Sequence, residues 1–555
     1  MSRGFVGADE LMTEGKPTVD RREFLALMGV TAAAGATGAA LAAPAPARGD
    51  VVWDAAFRSW VPEIFQPLPD PPSHTTAVVI GSGFGGAVAA LRLAQAGIKT
   101  TVLERGSKWP NDPQREIFTG DDMPDGRGFW HRTSFTGVTQ VPMPFTSFGG
   151  VLDCTSYPTI DVWRASAVGG GSVIFTGAMP VPPRHLFEQV FGGTVSYDEM
   201  TSRYYPRVQR KLRLNTMPGD IYNSAPFAHS REWDAQARAA GFRPTKVDSI
   251  FKWSTVRGEM AGQTRASATA ARSNLGNSNG AKYDLNQNYL RQAKATGRAR
   301  IYPGHEVTSI GHDGKRYVVH ARKISPTGEV LRTRTLTADK LILAAGSVGT
   351  SELLVKGKAS GSLGRLNGHI GRGWGTNGDV ALARGVTGIK ATGQGVPCAS
   401  QIRTVANGLP VTLQNWYVPG IPIETGTLAS LGIVMDPTRG RFRATPGGGV
   451  TLSWPKGGNE RARAAAHAVN HRIAQRGESF MEYDFIGRAA NANFTAHPLG
   501  GAVLGRATDS YGRVHGYKDL LVVDGAAVPG STATANPALT ITALAERAMD
   551  NYLGR

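Results

Sequence analysis

The chain has 555 residues, 41% hydrophobic and 19% charged, with 70 glycines and a formal net charge of +18. A charged share below the roughly 25% of ordinary globular chains, with glycine near twice its usual share, excludes a disordered, collagenous or disulfide-scaffold protein. At roughly 150 residues per domain the length suggests three or four domains, and it suffices to enclose a sizeable ligand. Basic residues are scattered, and the densest run, Arg461 to Arg476, is interspersed with Ala, Val and His. Basic, aromatic-studded strands for nucleic acid are absent, so no nucleic-acid partner is expected. A solvated basic surface is the plain reading, with attraction to an anionic membrane or cell envelope as the alternative. Cys154 and Cys398 are the only cysteines. Two cysteines cannot build a cysteine-rich zinc or iron–sulfur centre, and no metal is expected. Their spacing does not say whether they pair; two buried thiols are expected.

The first element is an address. Asp20-Arg21-Arg22-Glu23-Phe24-Leu25 precedes an uncharged, Ala- and Gly-rich stretch that runs to Ala47, with Ala40-Leu41-Ala42 or Ala43-Pro44-Ala45 as cleavage candidates. Paired arginines ahead of a weakly apolar segment resemble a twin-arginine export signal over residues 1–47. A membrane anchor would carry Leu and Ile where this stretch has Ala, Gly and Thr. The route carries folded proteins, so a secreted, periplasmic or envelope protein that takes up its cofactor before export is expected. No other segment is long and apolar enough to span a bilayer.

A dinucleotide fold follows in three separated pieces. Ala77-Val78-Val79-Ile80 reads as a buried parallel strand. Gly81-Ser82-Gly83-Phe84-Gly85-Gly86 comes next, then a helix-forming stretch from Ala87 to Ala96, then a strand from Thr100 to Leu103 with Glu104 at its end. In such a unit Gly81 permits the tight turn, Gly83 admits a pyrophosphate to the backbone, and Gly86 lets helix and strand pack closely. The helix amino terminus faces the phosphates and Glu104 accepts from ribose hydroxyls. The second piece is the strand Leu341-Ile342-Leu343-Ala344-Ala345, turning at Gly346, and the third is Leu520-Leu521-Val522-Val523-Asp524. From Pro537, Leu539, Ile541, Leu544, Ala545 and Met549 recur at helical spacing. A cofactor fold that closes with so distant a strand points to a flavin protein of the two-dinucleotide-fold type. The fold class is therefore α/β, with a discontinuous Rossmann-like FAD domain over 70–118, 268–379 and 495–555. An inserted mixed-sheet, α+β substrate domain is expected over 119–267 and 380–494. Two interleaved domains thus replace the three or four of the length estimate.

Further motifs lie between these pieces: Val168-Gly169-Gly170-Gly171-Ser172, Gly373-Trp374-Gly375-Thr376-Asn377-Gly378, His497-Pro498-Leu499-Gly500-Gly501 and Asn536-Pro537. In this order, from about Thr75 onward, the sequence resembles the glucose–methanol–choline (GMC) oxidoreductase family, in its bacterial sterol-oxidising, cholesterol oxidase-like branch with non-covalent FAD. The resemblance implies hydride transfer from a bulky secondary alcohol, a sterol 3β-hydroxyl above all, to FAD, with reoxidation by O2. The alternatives are a flavin dehydrogenase of the same fold with another acceptor and substrate, and a flavoprotein without redox turnover. His497, as the histidine of its motif, is the candidate either to take the hydroxyl proton or to hydrogen-bond the alkoxide. Asn536 before Pro537 suits a helix cap, and the resemblance sets that helix start against the flavin, with Asn536 orienting substrate or polarising the flavin. Gly171, Gly177 and Met179 are expected along the isoalloxazine and Val307 at the adenine, with Gly346 and Asp524 also on the cofactor. Counting back from Asp436-Pro437-Thr438-Arg439-Gly440 sets Asn415 where the sterol branch carries a proton-shuttling glutamate. An amide cannot shuttle a proton, so steroid isomerisation is expected to be weak or absent. Glu424 could substitute only if its loop folded differently.

Overall fold

The computed structural model describes residues 49–120, 124–136, 142–385, 394–397, 399–417, 426–477, 479, 481–484 and 493–555. The export signal, Cys398 and Glu424 lie outside the described residues. In chain order the elements that shape the site begin with β1 (His74–Ile80), α1 (Phe84–Gln95), β2 (Thr100–Leu103) and α2 (Ala228–Ala239). Then come β3 (Ala299–Tyr302), β4 (His305–His312), β5 (Tyr317–Ile324), β6 (Val330–Leu343) and α3 (Gly346–Ala359). The inserted part supplies β7 (Asp379–Gly385), β8 (Ser400–Ala406), β9 (Leu409–Asn415), β10 (Thr427–Val434), α4 (Glu460–Arg476) and β11 (Met481–Asp484). β12 (Leu520–Val522) and α5 (Pro537–Tyr552) complete the set.

The first sheet has the order β3-β2-β1-β6-β5-β4, with β12 alongside β6. β1 runs parallel to both β2 and β6, and β6 parallel to β12. Val78, Val79, Leu341, Ile342, Leu520 and Leu521 are fully buried, as continuous apolar runs covered on both faces should be. The register decides where function sits. Ile80 pairs with Leu103 and with Leu343, and Leu343 pairs with Val522. Four strands therefore end at one level, and the residues that follow each of them, Gly81, Glu104, Ala344 and Val523, emerge together at the carboxyl edge, where α/β sheets bind ligands.

The second sheet is antiparallel, in the order β11-β7-β10-β9-β8 with Thr245–Lys246 on its edge. Alternation sorts its two faces. Val380, Leu382, Leu409, Val411 and Leu413 pack against Trp233 of α2 and Ala462, Ala466, Val469 and Ile473 of α4. Ala381, Ala383, Leu431 and Ile433 point the other way, onto Trp416, Tyr417 and Phe494. Asp379 stands opposite Ile433 and Gln414 opposite Leu431, so both belong to this second face, while Asn415 stands opposite Ser430 on the helix-covered one. Cys154 is a half-buried free thiol whose pKa burial pushes up to about 12. No helix among the described residues is long and apolar enough to cross a membrane.

Candidate active site

An open cleft runs along the carboxyl edge of the first sheet. Its floor is a set of glycine turns. Gly81 has φ +94°, and a Cβ there would lie 2.2 Å from the Ala344 carbonyl oxygen. Gly85 is as constrained: a Cβ would meet the Val523 oxygen at 1.9 Å, so the first turn and the segment after β12 touch backbone to backbone. The motif also needs Gly85, whose role the spacing alone did not single out. The amino terminus of α1 has no side-chain cap, and Gly83, Phe84 and Gly85 line the cleft. Its first-turn N–H groups and the positive end of the helix dipole are thus available to an anion.

Three acidic or amide side chains secure these turns. Glu104 lines the cleft, and its Oε2 accepts from the Ser82 N–H (3.0 Å) and hydroxyl (2.7 Å) while Oε1 accepts from Gly106 N–H (3.0 Å). A carboxylate has about four acceptor positions, so three hold the turn and one is left over. Burial raises the Glu104 pKa against the pull of those donors. Asp524 accepts from Gly346 N–H (2.9 Å) and Thr350 hydroxyl (2.5 Å) through Oδ2, and from Ala526 N–H (2.8 Å) through Oδ1. Burial pushes its carboxyl up to about 6 in spite of these bonds. Asn286 Nδ2 donates to the Val168 carbonyl (2.7 Å), bracing the second glycine turn.

Gly171, Val307, Gly346, Asp524, Asn536 and His497 all line the cleft, with Gly81, Gly83 and Glu104. Gly86 sits behind it, where a Cβ would meet the Gly81 oxygen at 2.1 Å. Gly177 and Met179 are not among the lining residues; Gly177 O accepts from Ile250 N–H (3.0 Å) and Met179 N–H donates to Asp248 O (2.8 Å). Met179 is fully buried, and the wall here is Gly170, Gly171, Phe175 and Thr176 instead.

At the other end of the cleft, His497 is set by Asp379. Its Nδ1 lies 2.7 Å from Asp379 Oδ1. The buried carboxylate's Oδ2 accepts from Thr495 Oγ1 (2.9 Å) and from the Ala496 and His497 N–H groups (3.0 Å each). A carboxylate only accepts, so Nδ1 carries the proton and Nε2 is the basic nitrogen left at the cleft. Asn536 occupies the N-cap of α5, yet its side chain makes no cap bond. Its Oδ1 accepts from Gln414 Nε2 at 2.6 Å, and Gln414 also bonds Gln401 Oε1 at 3.2 Å. The amide is thereby oriented with Nδ2 as the remaining donor, and the first turn of α5 stays uncapped.

The residue of β9 that reaches this group is Gln414, not Asn415. Strand alternation turns Asn415 to the helix-covered face, where its Oδ1 accepts from Ser230 Oγ of α2 at 2.8 Å. The apolar series Leu409, Val411, Leu413 has the same parity as Asn415 and carries it to the packed face. Asp379 was missed although it follows directly on the quoted Gly373–Gly378 motif.

The glycine cradle and two uncapped helix starts fit a dinucleotide cofactor such as FAD. At Gly346 a Cβ would meet no atom within 4 Å, leaving that part of the wall clear. A Rossmann-like NAD(P)-binding model matches residues 79–109. GMC oxidoreductase models match residues 145–373 and 455–545. The chain is 25% identical to a cholesterol oxidase of Acinetobacter baumannii, over 85% of this chain and 93% of that protein. It is 26% identical to a cholesterol oxidase of Mycobacterium tuberculosis, over 85% and 90%. Among solved structures, a pyridoxine 4-oxidase from Mesorbium loti aligns with TM-score 0.57 and 15% identity, covering 87% of this chain and 99% of that one. A fungal aryl-alcohol oxidase aligns with TM-score 0.57 and 13% identity over the same shares; both likenesses concern the fold. With family models on both halves of the chain and relatives along most of its length, the protein belongs to the GMC oxidoreductase family, whose members are flavoproteins that act on alcohols.

Proposed function

We propose that the chain oxidises a bulky secondary alcohol, foremost a sterol bearing a 3β-hydroxyl, with non-covalent FAD and with O2 as the final acceptor giving H2O2. The observation that carries this reading is the His497–Asp379 pair, which leaves one imidazole nitrogen unbonded in the cleft that the oriented Asn536 also lines. The relatives named above support the sterol class. Bound in the cleft, FAD would supply the two-electron acceptor for the hydride that leaves the alcohol carbon. His497 Nε2 takes the hydroxyl proton as the carbon–oxygen double bond forms, and Asn536 Nδ2 donates to the oxygen while it carries negative charge. The uncapped amino terminus of α5 adds positive potential at the same end of the cleft. Phe84, Phe175 and Ile541 give the cleft apolar walls.

Steroid isomerisation is not part of the proposal. Gln414 is the β9 side chain at the site, and like Asn415 it cannot move a proton between carbons. Export by the twin-arginine route and contact with an anionic envelope are proposed from the amino-terminal sequence and the +18 charge.

The test is anaerobic mixing of the purified yellow protein with a panel of sterols and small alcohols, followed by oxygen uptake. Bleaching by 3β-hydroxysterols, with peroxide released on readmitting air, is expected. Bleaching only by small alcohols, or reoxidation only by a quinone, would replace the substrate or the acceptor. No bleaching by any alcohol would overturn the reading.

A further inference from the structure

The two side chains assigned to the alcohol come from segments far apart on the chain, and both are held by the same short turn. At residues 376–379 the chain leaves the first domain and enters β7. Asn377 reaches one way. Its Nδ2 donates to the Ala535 carbonyl (2.9 Å), and its Oδ1 accepts from the Thr532 N–H (2.9 Å). Those bonds span a loop in which Ala533 and Thr534 have φ of +58° and +61°. Left-handed backbone is unfavourable for both residue types, so the loop needs support from outside itself. Asn536 follows at once. Asp379 reaches the other way, to His497 Nδ1 and to the N–H groups of Ala496 and His497.

The turn is rigid. Asn377 and Gly378 have φ of +56° and +71°, and a Cβ on Gly378 would lie 1.9 Å from the Val434 oxygen. The Thr376 carbonyl accepts from the Thr495 hydroxyl at 3.0 Å, and Gly375 exchanges two backbone bonds with Leu499, so the segment carrying His497 is tied to the turn on both sides of that residue. Asn377 and Asp379 are each 1% exposed.

We infer that the turn at residues 376–379 fixes His497 and Asn536 relative to one another, with Asp379 and Asn377 as its two positioning residues. This rests on the reading of His497 and Asn536 as the groups that meet the alcohol. Asp379 sets a tautomer as well as a position. In Asp379→Asn, the new carbonyl oxygen must face the Ala496 and His497 N–H groups, which can only donate. Its NH2 then faces His497 Nδ1 and makes that nitrogen the acceptor. The proton moves to Nε2, and the base is lost with its position unchanged. In Asn377→Asp the Thr532 bond survives, but a carboxylate oxygen replaces the donor against the Ala535 carbonyl, and the loop ahead of Asn536 shifts.

The experiment uses both near-isosteric variants as flavin-loaded protein, with anaerobic flavin reduction by the best alcohol of the panel and 15N NMR of the His497 imidazole. Asp379→Asn is expected to keep its flavin, to move the imidazole from the Nδ1–H to the Nε2–H tautomer, and to slow reduction on the order of 10²-fold. Asn377→Asp is expected to keep its flavin and the Nδ1–H tautomer and to slow reduction roughly 10-fold. Adding Asp379→Asn to His497→Ala, or Asn377→Asp to Asn536→Ala, should cost nothing further. Additive losses, an unchanged tautomer in Asp379→Asn, or loss of flavin from either variant would overturn the inference. The tautomer is read without substrate, so a parent protein that no alcohol bleaches would sink the functional reading while leaving this one still decided by NMR.

Discussion

The two ends of the cleft bind by different means. Where the first sheet ends, the ligand surface is mostly backbone: glycine turns at 81–85, 170–171 and 346–349, and an uncapped helix start, braced from behind by Glu104 and Asp524. Where His497 and Asn536 stand, it is side chain, and every group is oriented by another side chain from a remote segment, Asp379 for the imidazole and Gln414 for the amide. The backbone end should tolerate changes in side chains but not a methyl group at Gly81 or Gly85; the side-chain end should behave in the opposite way. That contrast can be attacked from both sides.

The largest effect is expected for His497→Ala, which should slow anaerobic flavin reduction by roughly 10²- to 10⁴-fold and leave the visible flavin spectrum in place. Loss of the flavin along with the rate would erase the division between the two ends. Gly85→Ala should do the reverse. Its methyl group meets the Val523 carbonyl, a backbone clash worth about 1–3 kcal/mol, and purification should yield protein depleted in flavin with a lowered melting temperature. Full flavin content in Gly85→Ala would mean that the first turn has more slack than its geometry indicates.

A pair of neighbours sharpens the second half of the comparison. Gln414→Ala frees the Asn536 amide to rotate and should slow reduction about 10-fold, since misorientation of a positioned group costs rate. Asn415→Ala, one residue on, should leave the rate unchanged and lower stability by about 1–3 kcal/mol, because the Ser230 hydroxyl is left buried with a poorer partner. Equal kinetic effects would reject the facing of β9. Gln414→Glu, which restores a proton carrier on that face, is the variant in which double-bond migration should first be sought.

The smallest effect is one of pH. Asp524 has its carboxyl pushed from 3.8 up to about 6 by burial. A raised folded-state value means that the folded protein holds this proton more tightly than the unfolded chain, so the stabilisation is present below about pH 4 and is lost as pH rises through 6. Melting temperatures of Asp524→Asn and the parent, compared across this window, should drift in favour of the variant as pH rises. A constant difference would remove Asp524 as a titrating group.

Legibility in the sequence follows the same division. The Gly81–Gly86 turn, its flanking strands and the distant closing strand were readable because a backbone-lined site needs glycine at fixed offsets from an apolar strand, and both features are local. His497 and Asn536 were reached through their motifs. Their orienting partners were not, because Asp379 and Gln414 are joined to them only by the tertiary fold, and nothing in the residues around Asp379 announces an imidazole 118 residues further along the chain. Asn415 shows how narrow the margin is: one step along a strand reverses the face. Gly177 and Met179 came from the resemblance alone, and the strand-like bonds of their segment to residues 248–250 are tertiary contacts with no local signal.

The contact between Gly85 and Val523 also bears on how the molecule is made. The phosphate cradle near the start of the fold has part of its wall in a segment that the ribosome delivers only after most of the chain has emerged. Until then the first turn has nothing to lean on, and a half-made polypeptide has no finished place to hold a nucleotide. Acquisition of the coenzyme is therefore a late event in biosynthesis, and a truncation removing the region around Val523 should leave a protein that has lost its colour along with its closing helix.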